Sequence, residues 1–245
     1  MKAKIKTAIS FGAACFPAIV YVLWLNAYYW LLKGGRYQAF IQPKLWPLLI
    51  LALLLLTAFT AAFISRFSAE TRANLKFDAV IKAAVLIVPV FFLWSVYGRS
   101  LGTDAFVKKA LNPGQRITEG ESILVKSSAG ASGDQAISLL DLLSDSEKFD
   151  GKRIATEGMV YKGTQTGENA FTLFRFAVVC CAADALPLAV TVKSAVAGKF
   201  GNDSWVKVEG LFKLETVNGR QVVSIAADMI QPLPIPPPGK RYLFF

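Results

Sequence analysis

Residues 174–187 read FRFAVVCCAADALP, and this segment predicts a β-strand that ends at two adjacent cysteines. Its first half is aromatic and β-branched, a composition that suits a pleated, half-buried surface. The following Ala-Ala-Asp-Ala favours a helical turn, and Pro187 prevents a longer helix. The two thiols are therefore predicted to lie where the strand breaks.

This break determines which chemistry the cysteines can support. Neighbouring side chains of a regular strand point to opposite faces, so two adjacent thiols could not hold one ion. If the chain turns helical at Cys181, Asp184 returns to the same side three residues later. Cys180, Cys181 and Asp184 would then form a metal site, and two thiolates favour Zn(II) or Cu(I). Arg175 is the predicted supporting residue, which would orient Asp184 or lower the pKa of a thiol.

Two other interpretations of the cysteine pair stay open at this point. Free cysteines are often small buried hydrophobic residues, and both thiols could simply fill a core. Alternatively, the pair could form a vicinal disulfide or act as a redox couple, although the eight-membered ring requires a distorted peptide.

Composition narrows the classes of function. The 245 residues are 54% hydrophobic and 18% charged, with no histidine, and the mean hydropathy is +0.44. The lack of histidine excludes Ser-His-Asp and Cys-His catalysis, and we expect no enzymatic activity. The net charge of +10 is dispersed and forms no basic stripe with interleaved aromatics, so nucleic acid is not an expected partner.

The excess of apolar residues lies in the first hundred positions. A membrane span needs about 20 mostly apolar residues, and the pattern predicts about three transmembrane helices, at residues 8–32, 45–64 and 79–97, within a membrane region of residues 1–98. The lipid bilayer is thus an expected partner. The distribution of Lys and Arg slightly favours an extracytoplasmic carboxy-terminal domain on a multi-pass protein of the inner membrane.

The remaining chain divides into a connector at residues 99–133, a domain at 134–232 and a Pro-rich tail at 233–245. The domain begins with an amphipathic helix at 134–146 and continues with alternating segments. Five strands are predicted, at residues 153–161, 171–179, 188–192, 205–214 and 222–230, with Asn218-Gly219 as a tight hairpin turn. Glycines within two strands, Gly158 and Gly210, are typical of bulges or barrel corners. The predicted fold class is therefore membrane-anchored α + β, with a small, mostly antiparallel five-stranded OB-like barrel.

The sequence resembles a family of bacterial permease subunits of the YcgQ type. The matching segments are YQAFIQP at 37–43, LLDLL at 139–143, FDGK at 149–152, EGMVY at 157–161, CCAADA at 180–185 and WVKVEG at 205–210. This resemblance implies a companion, a larger multi-span permease, with which such proteins form a two-part system for metal ions. The expected function is an accessory subunit whose extracytoplasmic domain binds a soft metal ion. The alternatives are a structural or assembly membrane protein with buried cysteines and a thiol redox protein.

Overall fold

The computed structural model describes residues 19–65, 77–95, 100–110, 136–163, 167–217 and 220–244. The chain divides into two compact units. The first comprises Met1–Tyr37 and Pro43–Arg99, and the second comprises Gln38–Gln42 and Ser100–Phe245.

The first unit is helical. Helix α1 covers residues 19–32, α2 runs from Trp46–Ser65 and α3 from Phe77–Ser95. A 3₁₀ segment at Lys33–Ala39 follows α1, with Gly34 and Gly35 in the left-handed region at φ 71° and 69°. The indole Nε1 of Trp24 donates a hydrogen bond of 2.9 Å to the Leu86 carbonyl and so joins α1 to α3.

The prediction of about three transmembrane helices is wrong for the part of the chain that the structure describes. One helical stretch there, Pro43–Ala62, is long and apolar enough to cross a membrane. Among the described residues, α3 contributes the shorter apolar stretch Val85–Ser95, whose eleven residues cover about 16 Å of the roughly 30 Å hydrocarbon core. The predicted span at 8–32 lies partly outside the described residues, and its described part is α1.

The second unit is built on one mixed sheet with short helices. Its elements are α4 (Thr103–Ala110), α5 (Leu139–Ser144), α6 (Ser146–Phe149), β1 (Arg153–Tyr161), β2 (Ala170–Val178), β3 (Leu186–Lys193), β4 (Trp205–Val217), β5 (Arg220–Pro232), α7 (Pro238–Arg241) and β6 (Leu243–Phe244). The strand order is β1-β4-β5-β3-β2-β6, and an additional β1–β2 pairing joins the first five strands in a closed circuit.

This sheet corrects the predicted five-stranded, mostly antiparallel barrel. Within the described residues the sheet has six strands, and two of the pairings are parallel: β3 with β5, and β2 with β6. The sixth strand comes from the Pro-rich tail, where two residues after a proline segment give no period-2 pattern to read. The parallel β3–β5 pairing joins strands distant in sequence, which local alternation does not specify.

Two glycine positions shape the sheet as predicted. The β4–β5 register shifts between Glu209 and Gly210, and a Cβ at Gly210 would overlap the carbonyl oxygen of Ala226. A Cβ at Gly158 would lie 2.9 Å from the Phe174 carbonyl oxygen. Close backbone approach at these points therefore requires glycine.

Two clusters of buried side chains fill the second unit. The larger one lies beneath α5 and contains Phe171, Leu173, Phe212 and Ile225, all fully buried. The smaller cluster is rich in aromatic residues and includes Phe106 from α4 and Tyr242 from the tail. The other members of this cluster are Met159, Phe174, Phe176, Val178, Ala185 and Trp205. The end of β2 that precedes the cysteines is thus anchored in a packed aromatic core.

Candidate metal centre

The cysteine loop is the connection between β2 and β3. Strand β2 ends at Val178, and a 3₁₀ turn at Ala182–Asp184 follows. Cys181 precedes this turn in an extended conformation, with φ −156° and ψ 169°. The strand therefore stops before both thiols, as the sequence predicts, and the opposite-face rule no longer separates them.

The carboxylate of Asp184 organises the loop through backbone hydrogen bonds. Its Oδ1 accepts from the Val179 N–H at 2.9 Å, and its Oδ2 accepts from the N–H groups of Cys180 at 2.7 Å and Cys181 at 3.0 Å. Three consecutive N–H groups pointing at one anion form the kind of concave site in which backbone dipoles stabilise negative charge.

The structure brings the three predicted ligands together. The two Sγ atoms are 3.7 Å apart, and the two sulfurs and a carboxylate oxygen of Asp184 all lie within 4.8 Å of one another. Both cysteines are free; Cys180 is exposed and Cys181 is half-buried. The interpretation of both thiols as buried core residues disagrees with this exposure.

Arg175 lies elsewhere. Its Nη2 donates a hydrogen bond of 2.5 Å to the Lys240 carbonyl, and its guanidinium carbon is 5.5 Å from the centre of the Trp205 ring. Burial lowers the pKa of this guanidinium, and the charge of Glu157 partly opposes that effect. The contacts of Arg175 thus fix the tail to β2, whereas the sequence argument assigned it to Asp184 or the thiols.

Electrostatics at the loop keep the Cys180 thiol protonated. Hydrogen bonds to Asp184 and Cys181, together with desolvation and the carboxylate charge, raise the pKa of Cys180 to about 12. Desolvation opposes ionisation of Asp184, but hydrogen bonds from the Cys180 thiol and from three backbone N–H groups outweigh it and lower the pKa of Asp184 to about 2. At neutral pH the loop is therefore a carboxylate beside a protonated thiol, which a cation must deprotonate in order to bind sulfur.

Two contacts to this loop have no signal in local sequence spacing. Residues 40–42 pair with it through an antiparallel bridge between Ile41 and Cys181. The ammonium group of Lys109, near the end of α4, donates a hydrogen bond of 2.9 Å to the Ala183 carbonyl. Both contacts end on backbone carbonyls or amides, which every residue carries, so residue identity could not have indicated them.

The fold and the site define a class: a small mixed β-domain that presents an exposed thiol, a half-buried thiol and a carboxylate on the loop between two strands. Residues 116–244 match the DUF1980 C-terminal domain, and the chain belongs to this family. This match agrees with the resemblance to the YcgQ-type family. It does not bear on whether the protein is a permease subunit. No curated protein matches the chain.

Solved structures show only remote likeness. A small single-stranded DNA-binding protein from Streptomyces coelicolor is 16% identical, with a TM-score of 0.26, and the match covers 34% of this chain and 93% of that one. An asparaginyl-tRNA synthetase from Pyrococcus horikoshii, complexed with asparaginyl-adenylate, is 20% identical, with a TM-score of 0.23 and coverage of 38% of this chain. The match spans 23% of the synthetase. Neither likeness supports an inference about function.

Proposed function

We propose that the loop binds a soft or borderline metal cation through Cys180, Cys181 and Asp184, and that the chain serves as a membrane-attached accessory subunit of a two-part permease. The observation that carries the metal proposal is the 3.7 Å separation of the two Sγ atoms beside a carboxylate. Two thiolates bound to one tetrahedral Zn(II) at about 2.3 Å each lie about 3.8 Å apart, whereas a linear arrangement sets them about 4.6 Å apart. The spacing thus favours tetrahedral Zn(II) over linear Cu(I).

The loop supplies three ligands, and a tetrahedral ion takes four. In the same geometry a carboxylate oxygen stands about 3.6 Å from each sulfur, so the Asp184 oxygen, now up to 4.8 Å away, would move inward by about 1 Å. Because Cys180 is exposed, the fourth position faces solvent. An open position allows a water or a partner's ligand to enter, as transfer of the ion between proteins requires.

Membrane attachment is proposed on the basis of the apolar stretch Pro43–Ala62. Residues before it resemble an interfacial belt, since the Arg36 guanidinium lies 4.5 Å from the centre of the Trp30 ring and the Lys33 ammonium 6.0 Å from that of Tyr29. Aromatic and cationic residues are enriched at membrane–water interfaces. The companion permease, the inner-membrane location and an extracytoplasmic site rest on the family resemblance and the charge distribution.

A thiol enzyme is disfavoured by the same loop. The nucleophile of thiol chemistry is the thiolate, and the pKa of Cys180 is raised to about 12 by its neighbours. We therefore propose that the protein has a binding role and is not an enzyme.

The metal proposal is tested by titrating the purified full-length chain with Cd(II), followed by thiolate-to-cadmium charge-transfer absorption, with Zn(II) as competitor. We expect a saturable signal in the wild type and in Cys15→Ser, a matched control that removes the cysteine outside the loop. Cys180→Ser and Cys181→Ser should each lose it, and Asp184→Asn should weaken binding at least tenfold, because loss of even an outer-shell partner of a metal ligand costs about 10- to 100-fold. Equal binding by wild type and the Cys180→Ser, Cys181→Ser double variant would disprove the metal site.

The permease proposal needs its own experiment. We expect the chain, purified from membranes in mild detergent, to carry a multi-span protein that mass spectrometry identifies in stoichiometric amount. Recovery of the chain from the soluble fraction, or without any such companion, would contradict the proposal while leaving the metal site intact.

A further inference from the structure

A short segment that is distant in sequence pairs with the cysteine loop. Residues Gln38–Gln42 belong to the second unit, although the residues on either side of them belong to the first; we call Gln38–Gln42 the strap. Ile41 and Cys181 form an antiparallel bridge. The Gln42 N–H donates a hydrogen bond of 3.0 Å to the Cys180 carbonyl, and the Ala182 N–H donates one of 2.8 Å to the Phe40 carbonyl.

The strap adds to the hydrogen bonds that Asp184 makes within the loop. Asp184 accepts the N–H groups of residues 179–181, and its own N–H donates to the Cys181 carbonyl at 3.1 Å. The strap takes the two groups that remain on either side of Cys181: the carbonyl of Cys180 and the N–H of Ala182. The orientation of the peptides that carry the thiols is therefore set by hydrogen bonds both to Asp184 and to the strap.

The strap is also held on a second side. A Cβ at Gly239 in α7 would overlap the side-chain amide of Gln38, so this helix packs closely on the start of the strap. The neighbouring Lys240 carbonyl accepts the hydrogen bond from Arg175. Gln42 is itself 9% exposed. The strap is therefore packed within the domain: one edge pairs with the cysteine loop, and its first residue contacts the tail.

We propose that the strap is a positioning segment for the dithiol site, and that ion binding at the thiols and pairing of the strap stabilise each other. This inference rests on the proposed metal-binding function. The pairing holds the Cys180–Ala182 backbone in the conformation that sets the two sulfurs 3.7 Å apart, and an ion that bridges the sulfurs selects the same conformation. Coupling of this kind is reciprocal, so each event strengthens the other by the same factor.

The strap leads directly into the apolar stretch of the chain. Gln42 is followed directly by Pro43, where the apolar stretch Pro43–Ala62 begins. Occupancy of the thiols would therefore change how firmly the backbone leading into that stretch is held.

Ala182→Pro removes one strap hydrogen bond without touching a ligand. Proline lacks the N–H that donates to Phe40 and suits the first position of a helical turn, which Ala182 occupies. The preceding Cys181 is already extended, as a residue before proline prefers to be. Ala182→Ser keeps the N–H at similar size and is the matched control.

The test uses the full-length chain with Cd(II) alone as the probe. We expect Ala182→Pro to bind Cd(II) about fivefold more weakly than wild type, the effect of losing one backbone hydrogen bond, while Ala182→Ser binds normally. In the wild type, amide hydrogen exchange of Gln42 and Ala182 should slow by a similar factor when Cd(II) is added, and Cys181→Ser should show no such change. A purely structural role of the strap would not produce this ion-dependent protection.

The outcomes separate the two proposals. If neither wild type nor any variant binds Cd(II) through the thiols, the metal function itself fails. If the wild type binds but exchange at Gln42 and Ala182 is unchanged, the positioning role is wrong and the metal site stands. If Ala182→Pro does not fold, as shown by loss of its thermal transition, the exchange measurement on the wild type decides alone.

Discussion

The clearest test of the loop electrostatics is Asp184→Asn. The amide removes the negative charge but keeps an oxygen that can accept backbone N–H groups. In the wild type, the hydrogen bond to Asp184 is the largest cause that raises the pKa of Cys180 to about 12, from an ordinary value of 9.0. We therefore expect the substitution to lower the pKa of Cys180 toward 9.0 and to make its thiol more reactive.

The size of the effect follows from two opposing factors. A full return to 9.0 would raise the thiolate fraction at pH 8 about 1,000-fold, because ionisation well below the pKa scales tenfold per pH unit. A less basic thiolate is also a weaker nucleophile. With a Brønsted slope of about 0.4–0.5, the rate constant of the thiolate would fall roughly 20- to 30-fold. Because the contacts with Cys181 remain and Cys180 is exposed to screening solvent, we expect a net increase of about tenfold.

The assay is the rate of iodoacetamide alkylation at Cys180 on the folded chain, measured by peptide mass spectrometry with fragment ions that separate the two adjacent cysteines. The wild-type rate should climb throughout pH 7–10, and that of Asp184→Asn should level off near the upper end of this range. Asp145→Asn, a carboxylate removed from an exposed ion pair with Lys148, is the matched control and should behave as wild type. Equal rates for wild type and Asp184→Asn at pH 8 would refute the assigned role of the carboxylate.

Three further predictions concern the fold and its pH dependence. Gly210→Ala should destabilise the domain by about 2–4 kcal/mol through overlap with a neighbouring strand carbonyl, whereas Gly198→Ala, with open space around it, should change the thermal midpoint little. Arg175→Lys should speed proteolysis within residues 238–244 several-fold by loosening the tail, and Arg153→Lys, at an exposed ion pair, should not. Because the pKa of Asp184 is lowered to about 2, its ionised carboxylate contributes stability that is complete above the ordinary pKa of 3.8 and is lost as the pH falls toward 2. The wild-type amides of residues 179–181 should therefore lose exchange protection between about pH 4 and pH 2. Asp184→Asn should show no such step.

Local pattern predicted the strands well. Alternation over residues 153–161 gave β1 with its observed bounds, and the other four predicted strands overlap β2 to β5. The hairpin signal at Asn218-Gly219 falls on residues outside the described ones, but Val217 pairs with Arg220 across it, as a two-residue turn requires. These features succeed because side-chain alternation and turn chemistry are encoded within a few neighbouring residues.

The features that sequence reasoning missed depend on pairings between distant segments. The parallel β3–β5 ladder, the strand Leu243–Phe244 and the strap at Gln38–Gln42 are all defined by backbone hydrogen bonds, which any residue can make. The number of membrane helices was overestimated for the described residues for a different reason: the third predicted span, residues 79–97, was extended across Lys82 to reach a spanning length, and no described helix there meets the length and hydropathy of a membrane span.

For the site, the sequence correctly predicted that Cys180, Cys181 and Asp184 converge, but not the protonation state of Cys180. The expectation that a basic neighbour would activate a cysteine depended on Arg175, which faces Trp205 and the tail instead. The largest effect on the Cys180 thiol is that of the Asp184 carboxylate, and it acts in the opposite direction. Local spacing could indicate that these groups meet, but the sign of the pKa change follows from which charged groups reach the loop in three dimensions.

This arrangement explains how the exposed Cys180 thiol can stay unreactive at neutral pH. Oxidants and alkylating agents react with thiolates. The Asp184 carboxylate raises the pKa of the Cys180 thiol, so the thiol keeps its proton and little Cys180 thiolate forms at neutral pH. A divalent cation can displace that proton because it brings more positive charge to the same carboxylate and bridges both sulfurs at once. Asp184 can do both because three backbone N–H groups favour its ionised form whether the neighbouring charge is a proton or a metal. With the proposed metal function, the loop would discriminate between thiol reagents and metal ions through one carboxylate.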